Sequence, residues 1–354
     1  MNKEPIVNLS SDTETKPTAA MRQAIAAAEV GDEQKGTDPT VNRLLARVAE
    51  LLGKEAALFF PGGTMCNHVA VKVHTQPADA VLADRMAHII RAESAGAAFG
   101  SGVHIEPIDS QRGIFTPEAV DEAMARLNST PFPYAPTPRL LCVEQTHNFG
   151  GGAVWQLEEL RAAADRAREY GLATHMDGAR LMNAVAATGT PAAEFAACAD
   201  SLWIDFTKGL GAPVGAVLAG SKPFIGQARR YKHVYGGAMR QAGIVAAGCL
   251  YALDHHVERL GDDHVNARRL AAGLAQIQGV RVINPQPESN MLFFNISGLG
   301  TDNRSFLKRL RPFGVLMGTV GQDIRAVTHL DVDRAGIDRA IMAVAAAAAE
   351  AGGN

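Results

Sequence analysis

Ser201 to Gly215 reads SLWIDFTKGLGAPVG. A strand-like run, SLWIDFT, ends in a lone lysine, Lys208, and a loop with three glycines and a proline follows. Lysine is costly at the end of a buried strand, because loss of water opposes its charge. Either Lys208 snorkels out to solvent or its amine is wanted inside a site.

Working outward, similar runs recur along the chain. EAALFF (55–60), DAVLAD (79–84), HIEPID (104–109), RLLCVEQ (139–145), ATHMDG (173–178), SLWIDFT (201–207) and VGAVLAG (214–220) all read as strands. Their near-continuous apolar character suits strands covered on both faces. Amphipathic or alanine-rich helical stretches lie between several of them, at 39–53, 116–127 and 157–171. Strand–helix alternation predicts an α/β fold with a mainly parallel seven-stranded sheet between helices. After about residue 245 the texture changes. A long helical stretch (246–278) leads to VRVINP, MLFFNIS, a helix near 302–311, GVLMG, IRAVTH and a final alanine-rich helix. This reads as a smaller C-terminal α+β domain. The expected division is an N-terminal segment over 1–17 that contributes to the active site, a large domain over 18–247 and a small domain over 248–354.

Composition narrows the function. The chain has 354 residues, 47% hydrophobic and 20% charged, enough for a sizeable core. A net charge of −3 lacks the basic excess of a nucleic-acid binder. The N-terminus, MNKEPIVNLSSDTETKP, has no apolar signal core, and no apolar run reaches the ~18 residues of a membrane span. Cys66, Cys142, Cys198 and Cys249 show no CxxC or metal spacing and read as reduced thiols of a cytoplasmic protein, and no metal-binding residues stand out.

Asp177 and Arg180, in HMDGAR (175–180), stand at the C-terminal end of a strand, the edge where open α/β sheets bind ligands. A local ion pair on a surface loop is the plain alternative. Lys208 ends another strand. An aspartate and a lysine on two strand ends of one sheet suit pyridoxal phosphate. That cofactor needs a lysine amine to bond its aldehyde and a carboxylate to keep its ring nitrogen protonated. PGGTMCN (61–67) lies between a strand and a helical run, where Gly63 and Thr64 could cradle a phosphate on backbone N–H groups; a tight turn without ligand reads equally well. Thr207 could add a hydroxyl. His88 could stack on the ring or be a structural histidine. Arg325 with Arg180 could clamp an α-carboxylate, or be a surface arginine on an edge strand. Glu144 ends a strand that faces the same cleft.

The chain resembles the low-specificity L-threonine aldolases, within the aspartate-aminotransferase-like (fold type I) pyridoxal-phosphate enzymes. SDTETKP, DPTVNRL, GKEAALFFPGGTM, AHI, EQTHN, HMDGAR, TKGLGAPVG and GGAMRQAG carry the resemblance, in the family's order and over nearly the whole chain. It implies that Lys208 bonds the cofactor, Asp177 partners the pyridine nitrogen, His88 stacks on the ring, and Gly63, Thr64 and Thr207 bind the phosphate. It implies that Ser11, Arg180 and Arg325 hold the substrate carboxylate, with Arg180 also near the cofactor. Members are dimers or tetramers with shared active sites, and Arg240 with Gln241 matches a segment that reaches a neighbouring subunit's phosphate.

Departures cluster around the substrate. Gly62, Cys66 and Lys35 replace a serine, a glycine and an aromatic. Arg91 and Ala92 replace aromatics after the stacking histidine. Tyr134-Ala135-Pro136-Thr137 stands where the family has His-Phe-x-Arg, and Phe149 follows the THN. The expected activity is retro-aldol cleavage of a β-hydroxy-α-amino acid to glycine and an aldehyde, with His88, Tyr134 or water as base. β-Elimination on the same cofactor and a non-catalytic binding subunit are the alternatives. No G-x-G-x-x-G follows the first strand, which argues against a dinucleotide oxidoreductase.

Overall fold

The computed structural model describes residues 5–131 and 133–352. In chain order, β1 (Val7–Asn8), α1 (Ala19–Ala26), α2 (Pro39–Leu52), β2 (Ala56–Phe60) and α3 (Gly63–His74) come first. β3 (Asp79–Asp84), the short α4 (His88–Arg91) and α5 (Gly96–Ser101), β4 (His104–Ile108), α6 (Pro117–Asn128) and β5 (Thr137–Glu144) follow. Then come α7 (Leu157–Glu169), β6 (Ala173–Gly178), α8 (Leu181–Thr188), α9 (Ala192–Ala197), β7 (Ser201–Asp205), β8 (Ala216–Gly220), α10 (Lys222–Val234) and α11 (Gly243–His255). The C-terminal part holds α12 (Leu260–Leu274), β9 (Arg281–Val282), β10 (Met291–Asn295), α13 (Asn303–Leu310), β11 (Val315–Leu316), β12 (Gly318–Val320), β13 (Asp323–Val327) and α14 (Arg334–Gly352).

All seven strands expected from the sequence form one sheet, in the order β2-β8-β7-β6-β5-β3-β4. Its β7, β6, β5, β3 and β4 are parallel, while β8 runs antiparallel to both β7 and β2. The fold is the expected α/β sandwich with a small C-terminal α+β unit. One core cluster puts α2, α7 and α11 on one face of the sheet, and a second puts α3 and α10 on the other. Each fully buried Phe or Leu there, such as Phe59 and Leu44, contributes roughly 1.5–3 kcal/mol. Helix ends follow their sequence signals. Asp38 caps α2 by accepting from the N–H groups of Thr40 and Val41, Pro39 opens the helix, and Gly53 closes it at φ 60°.

In the small unit β12-β13-β10-β9 form an antiparallel sheet, and β1 pairs with β11 beside it. Val7 and Leu9 lie in the core of this unit, so the N-terminal segment folds with the C-terminal part. The helical stretch over 246–278 is two helices. It breaks after His255, where His256 turns its Nδ1–H onto the Leu210 carbonyl at 2.7 Å. Cys249 and Ala252 of α11 are buried in the large core, so a division at 247/248 falls inside a helix of the large unit. No helix among the described residues is long and apolar enough to cross a membrane. All four cysteines are buried and free, and burial pushes their thiols up, out of reach of thiolate chemistry near neutral pH.

Candidate active site

The C-terminal ends of the parallel strands open onto a cleft of about 500 Å³ between the two units. Asp177 comes from β6, Glu144 from β5, Asp205 from β7, and His88 from the start of α4. Ser11 and Arg325 reach in from the N-terminal segment and the small sheet. Lys208, Thr207, Gly63, Thr64 and Arg180 line the same cleft.

Lys208 does not snorkel. Its side chain is only 17% exposed, and Nζ donates to Asp205 Oδ2 at 2.5 Å, with the Trp203 ring 5.5 Å away. Thr207 gives both its N–H and its hydroxyl to Asp205 Oδ1. Asp177 is buried. Oδ2 accepts from Asn67 Nδ2 at 2.7 Å and Oδ1 from the Ala179 N–H at 3.0 Å, both uncharged donors. Burial, then Glu144, raises its pKa, with Glu93 adding to the effect and His88 opposing it. The site around Asp177 is short of a positive charge, which a protonated ring nitrogen would supply.

His88 gives its backbone N–H to Glu144 Oε2, and its Nδ1 lies 2.7 Å from Glu93 Oε1. Burial opposes its charge, but Glu93, Asp177 and Glu144 outweigh this and hold its pKa above the ordinary histidine value. His88, Glu93 and Asp177 bring ligand-type atoms within 4.8 Å of one another. The space between the two carboxylates is taken by Asn67, whose Nδ2 donates to both at 2.7 Å.

The arginines divide. Arg180 is buried and gives Nε and Nη2 to Asp12 Oδ2 and Oδ1 at 2.7 Å each, so its fork is already filled. Burial works against the Asp12 charge, but Arg180 overrides it and holds the carboxyl well below the usual range. Arg325 instead donates to Asn148 Oδ1 and the Ser10 carbonyl, both at 3.1 Å. Its Nε is buried without a partner, and among the described residues no carboxylate lies within ion-pair distance. Of the two arginines that line the cleft, Arg180 is paired with Asp12 and Arg325 has no carboxylate partner among the described residues.

The N-terminus of α3 points its unpaired N–H groups from Gly63 and Thr64, behind a Gly62 cap that has no side chain. A Cβ on Gly63 would stand 2.1 Å from the Trp203 ring, so only glycine lets the helix approach this closely. Lysine, buried carboxylate, helix N-terminus and an arginine with no carboxylate partner among the described residues together fit pyridoxal phosphate and an amino acid bound to it.

Two expected residues lie elsewhere. Tyr134 is 79% exposed on the turn that precedes β5. The cleft is at the other end of that strand, roughly 25 Å away at ~3.3 Å per residue. The chain's own cleft does not contain it, which corrects its assignment as the base there. Arg240 is exposed and donates to Asp32 Oδ2 at 3.1 Å, also outside this cleft. Glu93, Asp205 and Trp203, which line the cleft, and Asn67 and Asp12, which hold Asp177 and Arg180, were not singled out from the sequence. Asn67 had one signal: it lies four residues after Gly63, one helical turn into α3.

The fold and the site define a two-unit α/β enzyme framework built around a lysine–aspartate pair. The family model of the beta-eliminating lyases matches residues 8–297, and the chain belongs to this family. It is 39% identical to the low specificity L-threonine aldolase of Escherichia coli K12, over 93% of this chain and 95% of that protein. It is also 39% identical to low-specificity L-threonine aldolase 1 of Arabidopsis thaliana, over 88% and 87%. The solved threonine aldolase of Leishmania major has the same fold, with a TM-score of 0.82 at 21% identity, covering 96% of this chain and 99% of that one.

Proposed function

We propose that this chain is a pyridoxal-phosphate-dependent aldehyde-lyase. It cleaves a β-hydroxy-α-amino acid of the L-threonine or L-allo-threonine type to glycine and an aldehyde. The observation that carries this reading is the cleft itself: Lys208, a buried Asp177 short of positive charge and an Arg325 with no carboxylate partner among the described residues converge beside the N-terminus of α3. Relatives named low-specificity L-threonine aldolase over most of the chain support the same reaction.

Lys208 Nζ would bond the cofactor, Asp177 would take its ring N–H, and Gly63 and Thr64 would hold its phosphate, joined by Thr207 once its hydroxyl turns from Asp205. Once bound, the cofactor supplies an electron sink for a pair left on the substrate Cα. Arg325 holds the substrate carboxylate, with Ser11 beside it. That anchor decides which Cα bond is aligned for cleavage. Arg180 acts by keeping Asp12 and the N-terminal segment in place. His88 Nδ1 is engaged by Glu93, so Nε2 remains to take the proton of the β-hydroxyl. The Cα–Cβ bond then breaks, its electron pair stays on Cα, the aldehyde leaves, and a proton returned to Cα gives glycine. Asp205 Oδ2 holds the proton of Lys208 Nζ whenever the amine is free.

The enzyme is a cytoplasmic homo-oligomer, a dimer or a tetramer. Arg240, held by Asp32, and Gln241 lie outside the lining of their own cleft, where they would face a neighbouring copy's phosphate. Borohydride reduction of the yellow holoenzyme followed by peptide mapping tests the assignment: the label falls on Lys208. A label on Lys54 or Lys222 contradicts it.

A further inference from the structure

A chain of buried and half-buried polar side chains runs from Asp177 along the face of the sheet under α3, and its other members, Asn67, His175, Ser201 and His74, lie outside the lining of the cleft. Residues 175 and 177 share one face of β6, and 201 and 203 share one face of β7. Register pairs His175 with Ser201 and Asp177 with Trp203. α3 lies over that face and contributes Asn67 and His74, seven residues apart on one side of the helix.

Donor and acceptor chemistry, with both imidazoles neutral, orders the protons along this chain. Trp203 Nε1 can only donate, and it lies 2.7 Å from Asn67 Oδ1, which settles the orientation of that amide. Asn67 Oδ1 therefore also accepts from His175 Nε2 at 3.1 Å, so that nitrogen carries a proton. Burial pushes His175 down to about 3 and His74 down to about 4, so both rings are neutral. His175 Nδ1 is then bare and accepts from the Ser201 hydroxyl at 2.8 Å. Ser201 has spent its only proton, so its second contact, 2.8 Å from His74 Nε2, is donated by His74. At the far end Asn67 Nδ2 gives its two N–H bonds to Asp177 Oδ2 and Glu93 Oε1. The direction is uniform, from His74 through Ser201, His175 and Asn67 to Asp177.

We propose that His175, Ser201 and His74 are positioning residues: their one-way hydrogen-bond chain locks the Asn67 amide, and through it the Asp177 carboxylate, in the orientation that receives the ring nitrogen of the cofactor. A satisfied polar network of purely structural purpose would also fill this space, but it would not need a fixed polarity. The inference rests on the pyridoxal-phosphate reading given above.

The test has two parts. Imidazole ¹⁵N NMR of the unmodified protein, without cofactor, should find His175 and His74 both neutral with the proton on Nε2. A charged ring, or a proton on Nδ1 of His175, overturns the chain whatever the cofactor does. Titration with pyridoxal phosphate then compares His175→Leu, which deletes the donor to Asn67, with His175→Gln, which can supply an N–H in its place. His175→Leu should raise the cofactor Kd at least tenfold and shift the absorption band of the bound cofactor. His175→Gln should restore Kd to within about threefold of the original. Equal Kd and equal spectra for all three proteins overturn the positioning role. Should His175→Leu fail to fold, Ser201→Ala takes its place with the same expectation. An unmodified protein that does not bind pyridoxal phosphate overturns the functional reading instead, and the NMR result still decides the polarity.

Discussion

At the residue scale the site depends on charges placed where burial makes them strong. Asp177→Asn keeps its hydrogen bond to Asn67 in reach but cannot hold a ring nitrogen protonated. We expect kcat to fall by roughly 10³-fold or more, at ~1.4 kcal/mol per tenfold, with some cofactor still bound. Steady-state kinetics at matched occupancy checks this, and near-normal turnover would contradict it. Arg325→Ala should raise KM about tenfold or more and also lower kcat, because the anchor both binds the carboxylate and aligns the Cα bond. Unchanged kinetics would return Arg325 to a structural role. His88 must be neutral to accept a proton. Its pKa is raised by Glu93, Asp177 and Glu144 against the pull of burial. Activity should therefore climb as pH rises through a value above the ordinary ~6.5, and His88→Asn should remove that acid limb from the kcat/KM profile. Lys208, Asp177 and Arg325 were legible in the sequence because each ends or lies on an apolar run, where a charge needs a reason. Asn67 and Glu93 were not. A polar residue in a helix or loop acquires a partner only once packing brings distant segments together, here residues 67, 93 and 177.

At the element scale α3 does two jobs. Its N-terminus faces the proposed phosphate, and its buried side carries Asn67. Both depend on its close seat over Trp203. Gly63→Ala forces a Cβ into the indole ring, an overpacking that should cost about 1–3 kcal/mol. Thermal unfolding of the apoprotein should show the loss, and cofactor titration should show a Kd raised about tenfold. A variant neutral in both would mean that α3 shifts freely. The direction of β8 is another matter of connection. The loop between Asp205 and Ala216 is too short for the crossover that a parallel neighbour needs, so β8 turns back antiparallel. The strand was readable as apolar; its direction was readable only from the loop length. Tyr134 illustrates the reverse. The four prolines between 131 and 138 blurred its correspondence to the family turn, and position ahead of β5 places it at the edge opposite the cleft.

At the scale of the whole molecule, the cleft exists because two cores meet. The N-terminal segment pairs with the small unit through β1 and returns Asp12 to Arg180 of the large one. Arg325 comes from the small sheet and Lys208 from the loop that follows β7 of the large one, so both units line the cleft. Alternating strands and helices announced the large unit, whereas the strands β1 and β12, of only a few residues, give no periodicity long enough to read. The proposal that unites these features is carbon–carbon cleavage, and the products decide it. Holoenzyme incubated with L-threonine and L-allo-threonine should release glycine and acetaldehyde in equal amounts, and Lys208→Ala should release neither. Formation of 2-oxobutyrate and ammonia in their place would show β-elimination and contradict the account.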